Sequence, residues 1–162
     1  MPSIKSKTFL KIFLLGLFAV FFALLQRVNF EIYSVKPNIV LSFLASLIVS
    51  SLNIYQIWIL AFLAVILSAN GAYQGIFAAS LLISFISISW LARKYLKRNS
   101  IGVIFTVGLA TILFFILSFL LLTLEGQNPA LAIFLNVFPK EMIYNILLSL
   151  FLAFIIKKSF YH

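Results

Sequence analysis

Nine of the twelve Lys and Arg residues fall in three short stretches, separated by long uncharged runs. The clusters are Lys5, Lys7 and Lys11 near the start, Arg93, Lys94, Lys97 and Arg98 in the middle, and Lys157 and Lys158 near the end. From Asn38 to Ala92 the chain carries no charge at all. Charge is expensive in hydrocarbon and cheap beside it, so this layout is that of a chain crossing a bilayer several times with its cations in the loops. Hydrophobic residues make up 64% and charged residues 9%, where a soluble domain carries about 25% charged residues. A soluble fold of this length has too little interior to hide so much apolar surface. The net charge of +9 would suggest a nucleic-acid partner in a soluble protein. Here the cations flank apolar runs, so they face anionic membrane lipid and no nucleic acid is expected.

The apolar runs divide into spans at polar breaks. The first is 8–26, long enough at about 1.5 Å per residue to cross a core of roughly 30 Å. It runs into Gln26, Arg27, Val28 and Asn29 without a small-residue cleavage site, which predicts a retained span and not a signal peptide. A polar loop reaches Pro37. The uncharged stretch after it is interrupted at Asn53 and at the turn dipeptide Asn70-Gly71, giving spans at 38–52, 54–69 and 73–92. The fifth, 101–124, is an unbroken run rich in Leu, Ile, Phe and Val. The sixth covers 139–156, with Pro139 at its helix start, and the apolar segment before Pro139 is expected to lie in the interface or against the bundle.

Six spans with both termini in the cytoplasm place all three basic clusters on the cytoplasmic side. The opposite side then receives Arg27, Lys36 and Lys140 together with Glu31, Glu125 and Glu141, and is neutral. Five spans would break this segregation. The expected class is therefore an all-α polytopic integral membrane protein, a single transmembrane domain of about six helices.

Small and polar residues recur at helical spacing within the spans, which in lipid marks faces where helices approach closely. Gly16, Ala19 and Ala23 form one such stripe and Ser42, Ser46 and Ser50 another; both are candidates for helix packing or for contact with a partner. A second group, Gln26, Arg27, Asn70, Gln74, Glu141 and Asn145, falls in the outer half, where amides and charges turn away from lipid. These six are candidates for the lining of an outward-facing polar groove.

The residue inventory argues against catalysis. There is no Asp or Cys, the one His is the terminal His162, and the three Glu are far apart. No Ser/His/Asp set, no metal-ligand spacing and no phosphate-binding Gly-rich loop can be assembled, so neither enzymatic activity nor a cofactor is expected.

Three segments carry a family resemblance: ALLQ closing the first span at 23–26, PNIVL opening the second at 37–41, and EMIYNILLSLFLAFIIKK at 141–158. With the overall plan, these resemble the rod shape-determining protein MreD family of the bacterial inner membrane. Members of that family often carry Gly and Asp near the end of the third span, where this chain reads SANGAYQG with no acid. The resemblance implies a non-catalytic scaffold in the cell-shape and peptidoglycan-elongation machinery, partnered by a single-span MreC-like protein and cell-wall synthesis enzymes. The six-helix plan is also similar to the substrate-binding S components of energy-coupling-factor vitamin importers, whose first-span small residues Ala19 and Ala23 would match. That alternative implies a coupling subunit and ATPases as partners.

Overall fold

In the computed structural model the chain is all-helical among the described residues, which are 4–28, 36–50, 52–69, 74–96, 99–127, 129 and 131–161. The helices are α1 (Ile4–Arg27), α2 (Ile39–Ser46), α3 (Ile54–Ser68), α4 (Gln74–Tyr95), α5 (Ser100–Leu124) and α6 (Leu131–Tyr161), with a 3-10 turn at Leu47–Val49 continuing α2. Among the described residues four segments are long and apolar enough to cross a membrane: Phe9–Arg27, Gln74–Tyr95, Ser100–Leu124 and Leu135–Lys158.

The distribution of side chains is inverted relative to a water-soluble bundle. Large apolar residues such as Phe9, Phe13, Phe21, Phe62, Leu124, Leu147 and Phe154 are exposed on the perimeter, whereas Ser42, Ser46, Ser84, Thr106, Thr111 and Ser149 are buried. Lipid makes no hydrophobic demand on the perimeter, so small residues go inside, where they let backbones approach. On α1 this selects Leu15, Ala19 and Ala23, spaced four residues apart and buried on one stripe. A Cβ built on Gly16 would lie 3.9 Å from Leu60 Cδ2, so this stripe packs on α3.

The short α2 is the centre of the fold. All eight of its residues are buried, and it packs against each of the other five helices. Around it α1 packs on α3, α3 on α4, α4 on α5 and α5 on α6. Phe43 of α2 reaches the Phe22 ring of α1 with centroids 5.0 Å apart.

Two of the expected spans take a different form. Residues 38–52 are not one continuous spanning helix: α2 rises only about 12 Å at 1.5 Å per residue, passes into the 3-10 turn, and becomes extended at Ser50. Such broken backbone is tolerated at membrane depth only where protein surrounds it, and here it does. The helix expected to begin at Pro139 begins instead at Leu131 and carries Pro139 in its interior. Continuing the helix keeps the backbone groups of 131–138 satisfied, and proline removes only one donor from the ladder. The apolar stretch before Pro139 is therefore part of α6 and not a separate interfacial segment.

Helix ends elsewhere follow local rules. Asn53 and Gln56 form a reciprocal capping box at the start of α3, and the Asn99 side chain accepts from Gly102 N at the start of α5. Gly126, at φ +78°, ends α5. The Gly126 and Gln127 amides donate back to the Thr123 and Leu122 carbonyls at 3.0 Å each, a turn that needs the left-handed conformation glycine adopts freely.

Candidate functional site

A helix as short as α2 has most of its backbone at its two ends, where four N–H and four C=O groups lack intrahelical partners. In water those groups would be hydrated. Buried at the centre of the bundle they need protein partners, and side chains from other helices supply them at both ends.

At the N-terminal end the partners are amides. The Asn145 Oδ1 of α6 accepts from Asn38 N at 2.8 Å, and the Gln26 Oε1 of α1 accepts from Ile39 N at 2.6 Å. Asn38 itself caps the helix, its Oδ1 accepting from Leu41 N at 2.9 Å. Ser42 Oγ donates to the Asn38 carbonyl at 2.9 Å and approaches the Asn145 carbonyl at 3.3 Å. On its other side the Asn145 amide nitrogen lies 3.3 Å from Thr111 Oγ1 of α5, and Ser149 Oγ donates to the Asn145 carbonyl. Glu141, one turn earlier and hydrogen-bonded to Asn145, is also buried. Three helices, α2, α5 and α6, are thus tied through one fully buried asparagine, and Gln26 adds α1 to the same end of α2.

At the C-terminal end the partner is a charge. Arg93 of α4 donates from Nη1 to the Leu52 carbonyl at 2.6 Å and from Nη2 to the Leu47 carbonyl at 3.4 Å. A guanidinium presents several donors in a fixed fork, which suits the Leu47 carbonyl, shared with Ser50, and the Leu52 carbonyl beyond the break. Nearby, Trp58 Nε1 of α3 donates to Ser89 Oγ of α4 at 3.1 Å, which binds these two helices at the same level.

The six residues expected to line an outward-facing groove separate. Glu141 and Asn145 come together in the interior, and partly buried Gln26 meets the same end of α2. Arg27 is exposed and reaches the Ala69 carbonyl at 3.4 Å, Gln74 is exposed at the start of α4, and Asn70 lies outside the described residues. Gln26 and Asn145 are engaged with the backbone of α2, so their side-chain oxygens close a helix end. Of the small-residue stripes, Ala19 and Ala23 are fully buried within the bundle, as are Ser42 and Ser46, with Ser50 nearly so. The Ser46 and Ser50 hydroxyls donate to carbonyls of their own segment, those of Phe43 and Leu47.

The described members of the basic clusters collect at one end of the bundle. Gly16 faces Leu60, and Arg27 reaches Ala69, so α1 runs parallel to α3. Trp58 meets Ser89, so α4 runs antiparallel to α3. Phe115 meets Phe138 and Thr111 meets Asn145, so α6 runs antiparallel to α5. The start of α1, the end of α4 and the end of α6 therefore share one end. Lys94, Lys157 and Lys158 are exposed there and Lys11 is partly covered. Lys5 and Lys7 belong to the first turns of α1, and Lys97 and Arg98 lie outside the described residues.

Three participants were not predicted from sequence: Asn38, Thr111, and Arg93 as a clamp instead of a loop cation. Asn38 after Pro37 carries a readable helix-start signal. Arg93 follows Trp90, Leu91 and Ala92 without a break, which is a faint sign that it belongs to the helix and not to the loop. Among the described residues no group of three or more His, Asp or Glu side chains is arranged to hold a metal ion. No protein-family model matches the chain, and no curated protein or solved structure matches it.

Proposed function

We propose that this protein is a non-catalytic, multi-pass scaffold of a bacterial cell membrane, acting in the cell-shape and peptidoglycan-elongation machinery as MreD-like proteins do. The proposed topology has six crossings, with α2 and its extended flanks as one of them, and both termini in the cytoplasm. The proposed partners are a single-span MreC-like protein and wall-synthesis enzymes. The family assignment rests on the three quoted segments, 23–26, 37–41 and 141–158.

The observation that carries the scaffold over solute capture is the engagement of Gln26 and Asn145 with the α2 backbone. A solute-binding subunit needs convergent polar groups free to meet a ligand. Here two of the best-placed amides hold the central helix, and the perimeter is left to meet other membrane proteins.

Affinity purification from a mild detergent extract, paired with depletion in a rod-shaped host, tests this. The expected result is recovery of a single-span partner and rounding of depleted cells, with vitamin uptake unchanged. Recovery of two ATPases with a coupling subunit, or of a tightly bound vitamin, refutes it and supports the importer alternative.

A further inference from the structure

At the basic end of the bundle, the last turns of α4 and the first turns of α5 part to leave a groove of about 110 Å³. Its walls include Ile88, Leu91 and Tyr95 from α4 and Phe105, Thr106 and Leu109 from α5. Thr106 contributes no free hydroxyl, because its Oγ1 donates to the Gly102 carbonyl at 2.7 Å. Leu91, Tyr95, Phe105 and Leu109 are all exposed, so the groove opens on the perimeter, where lipid chains lie. Its lining is apolar, as an acyl chain requires.

Beside the groove stands a fixed cation. The Lys94 ammonium lies 5.1 Å from the Trp90 ring centroid and 5.2 Å from that of Tyr95, within the range of cation–π attraction. Both rings are more than half or about half exposed, so the ammonium is held at the border of the apolar zone with donors left for an anion. The acidic residue nearest to it in sequence is Glu125, so no neighbouring carboxylate along the chain competes for it. Apolar groove, interfacial aromatics and an unopposed cation are the three elements an anionic phospholipid meets with its chain, its glycerol region and its phosphate.

We propose that this α4–α5 groove is a binding site for one anionic phospholipid, its acyl chain against Leu91, Phe105 and Leu109 and its phosphate on Lys94. The site is independent of the scaffold reading and would exist in either functional class.

The test uses Trp90 as reporter. The chain has two tryptophans, so a Trp58→Phe background leaves Trp90 alone. This full-length chain is reconstituted into phosphatidylcholine vesicles containing rising fractions of chain-brominated phosphatidylglycerol or chain-brominated phosphatidylcholine, and Trp90 quenching is recorded. The expected result is half-maximal quenching at a several-fold lower fraction of the glycerol lipid. Lys94→Gln should raise that fraction about fivefold, the effect of one cation at a membrane surface, and leave quenching by the choline lipid unchanged. Leu109→Trp would confound the reporter, so Leu109→Phe is used to fill the groove and should weaken quenching by both lipids. Equal quenching curves for the two lipids in the parent, or a preference untouched by Lys94→Gln, overturns the phosphate contact. Undiminished quenching in Leu109→Phe overturns the acyl groove. Circular dichroism confirms that each variant retains its helices.

Discussion

Replacing Asn145 by Leu is the sharpest perturbation of this architecture. The two side chains are close in size, so the change opens little cavity. What it removes is chemistry: the acceptor for Asn38 N at 2.8 Å and the amide facing Thr111 Oγ1 at 3.3 Å. Asn145 has no exposed surface, so water cannot take its place without opening the bundle. An orphaned buried N–H costs about 1–3 kcal/mol. The Thr111 contact adds about 0.6 kcal/mol, typical of side-chain hydrogen bonds between membrane helices. The expected loss is therefore about 2–3 kcal/mol, measured as the shift in an SDS-induced unfolding transition in mild detergent and followed by helicity. Gln74→Leu, exposed at the start of α4, is the comparison and should stay within about 0.5 kcal/mol. Gln26→Leu removes the acceptor on the adjacent residue, Ile39 N. Because both amides hold one helix end, the double variant should lose less than the sum of the two single losses. An Asn145→Leu loss no larger than that of Gln74→Leu, or strict additivity with Gln26→Leu, would show that the end of α2 does not depend on these amides.

Arg93→Met should destabilise the bundle by about 1–3 kcal/mol, because the Leu52 carbonyl loses its short charged donor while the Leu47 carbonyl keeps Ser50; Arg93→Lys should recover only part of this in the same unfolding assay. Ala19→Leu with Ala23→Leu places two large side chains where α1 meets its neighbours, and overpacking should cost about 1–3 kcal/mol; normal stability would place that stripe toward lipid. Single cysteines at Lys158 and Glu125, introduced into this Cys-free chain, should be distinguished in intact cells by a membrane-impermeant thiol reagent. Labelling is expected at position 125 and not at 158, and the reverse pattern would invert the proposed topology.

Hydropathy made the four long helices legible, because a lipid-facing perimeter needs nothing beyond length and apolarity. The start of α5 and the Asn53 break before α3 were equally readable, each marked by an asparagine that caps a helix through its own side chain. The form of α2 was not. Its sequence, IVLSFLAS, is as apolar as a membrane span, and hydropathy cannot distinguish a segment facing lipid from one facing other helices. At the break the Arg93 guanidinium meets the Leu47 and Leu52 carbonyls, contacts more than 40 residues apart in sequence.

The same reasoning explains why the polar group of the outer half was recognised but its use was not. Gln26 and Asn145 were legible as residues that must turn inward, since an amide facing lipid is costly. Whether an inward-turned amide meets a ligand or a neighbouring backbone depends on where chain ends fall, and α2 ends beside both. A long spanning helix satisfies its own backbone and would leave such amides free for a solute. A short one cannot, and in this bundle it draws Gln26, Asn145 and Arg93 into its two ends. The brevity of α2 thus converts the polar residues that a binding pocket would need into fasteners of the core. On the proposed scaffold reading, recognition then falls to the perimeter, where large apolar side chains are exposed.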